Sequence, residues 1–244
     1  VITVGEEAGL VGAQALDPSI IKAKFGYALD SNEKVGGIAV AAPYQAKIDV
    51  VIRGKSAHAG VNPEDGISAI QVAAKAVAKR PLGRIDSEAS ANIGSFQGTG
   101  PTNIDNDYVT TKAEARSIRK EKLDQQLALM KEAFEAAAKE FGAQLEWECS
   151  FTPGFLFDDS APIVQLAKEA IESIGRTCRT FHSGGGRDAN IFNGYGLPTV
   201  NLAVGYENIH TIEEQMPVEE LVKITELVIA IIEQSAAKPK LLQS

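Results

Sequence analysis

Apolar and polar positions divide the chain into three blocks. In the first, Val1-Ile2-Thr3-Val4 is a continuous apolar run, the pattern of a strand covered on both faces, and Gly5-Glu6-Glu7-Ala8-Gly9 ends it. A short helix through Ala15 is predicted next. Strands follow at Tyr27-Ala28-Leu29 and Ile38-Ala39-Val40-Ala41, and Pro43 closes the block.

The second block alternates more cleanly. Ile48, Val50 and Ile52 interleave with Lys47, Asp49 and Arg53, a period-2 strand with one wet face. Pro63-Glu64-Asp65 is predicted to open a helix, with apolar positions Ile67, Ile70, Ala74 and Val77 at helical spacing. A weak strand lies near 93–96. A clear one covers 108–116, with Val109, Thr111, Ala113 and Ala115 on one side. The next helix carries Leu123, Leu127, Met130, Phe134 and Phe141, and Gly142 stops it. Strict alternation over 143–151 gives the last strand. The order β-α-β-β-α-β is that of a ferredoxin-like α+β sandwich.

The third block returns to buried-strand grammar. A helix over about 161–174 precedes a strand near 178–181, the turn Ser183-Gly184-Gly185-Gly186 and a short helix at 188–192. A buried strand follows at 198–204, then a long helix at 217–234. Residues 1–44 and 152–244 therefore read as two parts of one α/β domain, with the sandwich inserted at 45–151.

Charge and cysteine usage narrow the function classes. Lys plus Arg number 24 against 32 Asp plus Glu, a formal charge of −8. That balance argues against a nucleic-acid or anionic-membrane partner. The longest apolar runs fall well short of the roughly 20 residues that span a bilayer, and no signal-peptide pattern appears. Cys149 and Cys178 form no CxxC unit, which fits a reducing, cytoplasmic setting. A chain that opens at Val1 inside an apparent strand, with no initiator Met, is expected to be a piece of a longer one.

Candidate chemistry gathers at strand ends. The sequence has five adjacent acidic pairs where chance gives roughly four, so Glu6-Glu7 is not unusual by composition. Its position is: it ends a strand at a Gly-flanked turn, the edge where open α/β sheets bind ligands. Asp30 ends a second strand, and His210 follows a third after a short loop. Carboxylates plus imidazole suit a zinc- or manganese-type site, with a spare carboxylate as base. The residues alone leave that reading level with an ordinary structural use, since a lone His is more often a satisfied loop or core group. Ser183 to Gly186 lacks the phosphate-loop frame and reads as a turn that lets a substrate approach the backbone.

Several segments together resemble the co-catalytic di-zinc exopeptidase family that includes peptidase T, glutamate carboxypeptidase and succinyl-diaminopimelate desuccinylase. They are Thr3-Val-Gly-Glu-Glu-Ala-Gly-Leu10, Tyr27-Ala-Leu-Asp-Ser31, Arg53-Gly-Lys-Ser-Ala-His-Ala-Gly60, Gly98-Thr-Gly-Pro-Thr-Asn103, Ala113-Glu-Ala-Arg-Ser117, Gly184-Gly-Gly-Arg-Asp-Ala-Asn190 and Glu207-Asn-Ile-His210. The peptidase T-like tripeptidase branch is the nearest in flavour. The resemblance implies a mostly parallel sheet with helices on both faces and an inserted ferredoxin-like lid through which a homodimer forms. It implies two Zn2+ per site in the complete protein, with Mn2+ or Co2+ as substitutes, and small peptides as substrates. Glu6 would be the general base. Glu7 and His210 would bind one metal and Asp30 the other. His58 would donate to the developing oxyanion, Asn103 and Arg116 would hold the substrate carboxylate, and Gly184, Gly185 and Gly186 would line the channel.

Departures from the family pattern set further expectations. The segment carrying the first His ligand and the metal-bridging Asp has no counterpart here, so this chain alone is expected to bind metal weakly and hydrolyse nothing. Arg187 stands where the family carries Ser or Thr, which implies a narrower channel or an added anion contact. Asp105-Asn106 replaces a common Val-Pro. An aminoacylase or desuccinylase of the same family, or a non-catalytic oligomerisation or peptide-binding homologue, are the alternative functions.

Overall fold

The computed structural model describes residues 1–79 and 81–238. In chain order, the first elements are α1 (Val11–Ala15), β1 (Gly26–Ser31), β2 (Gly37–Ala42), β3 (Tyr44–Arg53), α2 (Ala69–Ala78), β4 (Gly83–Arg84) and β5 (Ala89–Gln97). Then come β6 (Tyr108–Ser117), α3 (Lys120–Phe141), β7 (Gln144–Thr152), β8 (Phe155–Leu156) and α4 (Pro162–Ser173). β9 (Arg179–His182), α5 (Asp188–Gly194), β10 (Thr199–Ala203) and α6 (Val218–Ala237) complete the order. The chain divides into two compact units, Val1–Pro43 with Pro153–Ser244, and Tyr44–Thr152.

The first unit is built on a mixed sheet of order β1-β10-β2-β8, with β9 also paired to β2. β1 runs parallel to β10 and β9 parallel to β2, and these are the longer registers. The pairings of β2 with β10 and with β8 are short and antiparallel. β2 is buried at every position, as its apolar run requires. Along β10, Val200 and Leu202 pack into a cluster with Val164 and Ile171 of α4 and Leu227 of α6. Its other face meets α5. Helices thus cover both faces of the sheet.

The second unit has the order β4-β5-β6-β3-β7, antiparallel throughout. Apart from the two-residue β4, this is the ferredoxin-like arrangement. Ala46, Ile48, Val50 and Ile52 of β3 are buried while their neighbours face water, so period-2 patterning alone orients the strand. The buried face meets Leu123, Met130 and Phe134 of α3 and the small residues Ala69, Ala73 and Ala76 of α2. Gly142 ends α3 at φ +74°, the left-handed conformation a helix stop favours.

Two expectations are corrected. Residues 1–4 form no strand and pair with none among the described residues; Val1, Ile2 and Val4 are exposed. The segment is tied down otherwise: the Thr3 hydroxyl donates to the Asp188 carboxylate. The backbone of Val4 lies so close to Gly12 that a Cβ there would meet the Val4 carbonyl oxygen at 2.2 Å. In the second unit, Pro63–Asp65 closes only a 3-10 turn, and α2 begins at Ala69, where the Ser68 hydroxyl caps the Gln71 N–H at 3.3 Å. The buried stripe is accordingly Ala69, Val72, Ala73 and Ala76, and Ile70 is exposed.

Candidate functional site

The turn after residue 4 sets the position of the acidic pair. Gly5 and Gly9 have φ of +68° and +103°, and the Glu6 carbonyl accepts from the N–H groups of Gly9 at 3.0 Å and Leu10 at 2.8 Å. The turn therefore closes on the backbone of Glu6; the Glu7 side chain is exposed, while that of Glu6 is partly buried. Glu7 Oε2 lies 3.5 Å from Nδ1 of His210. The loop carrying His210 leaves β10 at Gly205, with φ +87°, where a Cβ would strike the buried Glu220 at 2.5 Å. His210 itself adopts a positive φ of 62°, and the Glu214 carboxylate takes its N–H at 2.9 Å.

Asp30 stands at the end of β1, held by its neighbour strand. Its N–H donates to Asn201 Oδ1 at 3.0 Å, and its carbonyl accepts from Asn201 Nδ2 at 2.7 Å. Both side-chain oxygens are engaged. Oδ2 takes a hydrogen bond from Arg187 Nη1 at 3.0 Å, and Oδ1 takes one from the Tyr206 hydroxyl at 3.2 Å. Arg187 precedes α5 and is only 17 % exposed. Tyr206 is pushed up to about 12, chiefly by burial.

Electrostatics single out Glu6. Its carboxyl is raised above the ordinary glutamate range, first by desolvation, then by the charges of Asp30 and Glu7; Arg187 pulls the other way without cancelling them. Such a carboxylate binds a proton more tightly than a free one, the property a general base needs. A cavity of about 510 Å³ opens beside Glu6, Asp30 and Asp188, with apolar walls that include Phe25, Leu29 and Phe192.

The structure thus brings Glu7 to His210, and brings Asp30 to Arg187 and Tyr206. Among the described residues no three His, Cys, Asp or Glu side chains gather closely enough to hold a metal ion. In residue type, two carboxylates and an imidazole fit a zinc-type ion. In arrangement the set is incomplete, because Asp30 already neutralises a guanidinium. Gly184 and Gly185 border open space, since a Cβ at either would meet nothing within 4 Å.

The remaining candidates lie in the second unit. His58 bridges to Ile104, and the N–H of Ala59 reaches the Asn103 carbonyl at 3.0 Å, so these two candidates share one corner. Arg116 on β6 grips Glu114 through Nε at 3.0 Å and Nη2 at 3.1 Å. Sequence patterning did not point to Tyr206 or Asp188. Only their placement, one beside a positive-φ glycine near His210 and one following Arg187, could have marked them.

Residues 44–142 match the family described as the peptidase dimerisation domain. The chain is 57 % identical over 237 residues to the uncharacterized protein YqjE of Bacillus subtilis, covering 97 % of this chain and 64 % of that one. It superposes on aminopeptidase PepT of Bacillus cereus with a TM-score of 0.91 and 61 % identity, covering 96 % of this chain and 63 % of the other. A tripeptidase of Staphylococcus aureus gives 0.89 at 44 % identity, covering 95 % and 62 %. The chain thus spans less than two thirds of the length of these relatives. No helix among the described residues is long and apolar enough to cross a membrane.

Proposed function

The chain belongs to the M20 peptidase T-like family, and we propose that it carries the base and part of the metal-binding set of a metal-dependent exopeptidase acting on small peptides. What supports this most is the raised carboxyl of Glu6 beside the Glu7–His210 pair, in a fold so close to that of an aminopeptidase. Glu6 takes a proton from the attacking water and returns it to the leaving amine. Glu7, Asp30 and His210 would hold the metal, Zn2+ first and Mn2+ or Co2+ as substitutes. When bound, such an ion polarises the scissile carbonyl and makes water more acidic. His58 donates to the oxyanion as charge develops. Asn103 and Arg116 take the substrate's terminal carboxylate, for which Arg116 must exchange Glu114 for the substrate. Gly184, Gly185 and Gly186 line the channel. The protein works as a cytoplasmic homodimer joined through its dimerisation domain.

The 244 residues alone hydrolyse nothing under this reading, in which Glu7, Asp30 and His210 are only part of the metal-binding set; among the described residues no three such donors gather. The test is release of the N-terminal residue from a tripeptide with added Zn2+ or Mn2+. The 244-residue chain should give no turnover. The same residues, replacing their counterparts in the S. aureus tripeptidase, should restore it, and Glu6→Gln should then lower kcat about 10²–10⁴-fold. Turnover by the chain alone would refute its inactivity; a folded but dead chimera would refute the peptidase reading. A second reading, a non-catalytic peptide-binding homologue, draws on one observation, the Arg187–Asp30 pair, and predicts that dead chimera.

A further inference from the structure

Arg187 is held in place from its backbone. Its N–H donates to Asn190 Oδ1 at 2.9 Å, and its carbonyl accepts the Asn190 N–H at 2.8 Å. Asn190 is fully buried and is fixed in turn to the carbonyls of Pro43 at 3.2 Å and Pro153 at 2.8 Å. The guanidinium is therefore delivered from a rigid base into the ground between Asp30 and Glu6. It makes a single 3.0 Å contact with Asp30 Oδ2, and its Nε is buried with no partner. The carboxylates of Asp30 and Glu6 and the Tyr206 hydroxyl act on it, and the next residue, Asp188, takes the Thr3 hydroxyl on one oxygen while its other, Oδ1, is also buried without a partner. A site that keeps one donor and one acceptor unpartnered has been balanced in charge without being satisfied in hydrogen bonding.

We infer that Arg187 is a built-in counter-cation of this carboxylate cluster, and that its guanidinium and a divalent cation compete for Asp30. The competition is enforced by charge. A carboxylate that faces a guanidinium at hydrogen-bond distance cannot also face a dication without bringing two cations together in a partly desolvated place. Arginine cannot resolve the conflict by losing its proton, as a lysine could. A metal therefore gains Asp30 only when the Arg187 side chain moves off it. The metal half of this inference rests on the proposed function, in which Asp30 is a metal donor; the counter-cation half does not.

The experiment compares the parent protein with Arg187→Ser, Asp30→Asn and the double variant. Melting temperature is read in EDTA, and Mn2+ affinity is read by titration calorimetry. In EDTA, Arg187→Ser should melt lower than the parent, and adding Asp30→Asn should recover much of the loss. With Mn2+, Arg187→Ser should bind at least tenfold tighter than the parent. If Arg187→Ser fails to fold, Arg187→Lys serves instead, with a smaller loss in EDTA and a smaller gain in affinity. Absence of any recovery in the double variant would overturn the counter-cation. Parent-like Mn2+ affinity in Arg187→Ser would overturn the competition. Recovery in EDTA with no Mn2+ binding by any variant would keep the counter-cation and overturn the competition.

Discussion

Lys122 in the Tyr44–Thr152 unit and Arg187 in the sheet unit each sit among carboxylates, yet the carboxylates respond in opposite directions. Lys122 lies 2.8 Å from Asp86 and 2.6 Å from Glu88, in the open, and holds both below their usual ranges. Arg187 is nearly enclosed, and Glu6 beside it is nevertheless raised. The difference lies in desolvation and crowding. At the Lys122 site water screens the charges, and Arg119, 3.6 Å from Glu88, adds a second cation for the two acids. At the Arg187 site burial penalises the charged carboxylate first, and Asp30 and Glu7 add repulsion, while the one guanidinium is bonded to Asp30 and not to Glu6. The first arrangement decorates a surface. The second keeps a proton-binding group poised, at some expense in stability, which is how catalytic sites commonly differ from ordinary ion pairs.

Five substitutions should break or sharpen that contrast. The largest effect is expected from Asn190→Ala, which frees the Arg187 N–H and strands two proline carbonyls in the interior; chemical denaturation should show a loss of about 3 kcal/mol. Arg187→Met should cost about 1.5–3 kcal/mol, the range for a hydrogen bond to a charged group, whereas Lys122→Met should leave the melting temperature nearly unchanged. Glu6→Gln should have the opposite sign. A raised carboxyl favours the fold while protonated, and that contribution is lost as pH rises through its folded value. The neutral amide should therefore melt higher than the parent at neutral pH, and the advantage should vanish below about pH 4.5, the ordinary glutamate value. The smallest effect is expected from Asp86→Asn. A lowered carboxyl stabilises the fold when ionised and loses that contribution as pH falls, so the variant should melt slightly lower at pH 7 and match the parent in acid.

The same two regions show what the amino-acid pattern could and could not reveal. In the Tyr44–Thr152 unit the strands announce themselves: Ile48, Val50 and Ile52 share the buried side of β3 while Lys47, Asp49 and Arg53 face water, and one buried face against two helices leaves a single way to place them. The start of α2 was harder, because Pro63-Glu64-Asp65 looks like a helix opening. Only the Ser68 cap and the burial of Val72 tell the turn from the helix. In the sheet unit an apolar run carries no direction and no partner, so Val1-Ile2-Thr3-Val4 read as a strand although it pairs with no strand among the described residues. Glu6, Glu7, Asp30 and His210 could be marked as strand-end residues. That Glu7 would meet His210, while Asp30 would meet Arg187 and Tyr206, depends on loop paths set by Gly205 and by the Asn190 anchor. Local pattern does not encode those paths.

The crowding of carboxylates at the sheet rim is most directly tested by following the side-chain carboxyl carbons of Glu6 and Glu88 by NMR through an acid titration in EDTA. The two should separate, Glu6 titrating above pH 4.5 and Glu88 below it. A Glu6 that titrates together with Glu88, or beneath it, would contradict the account.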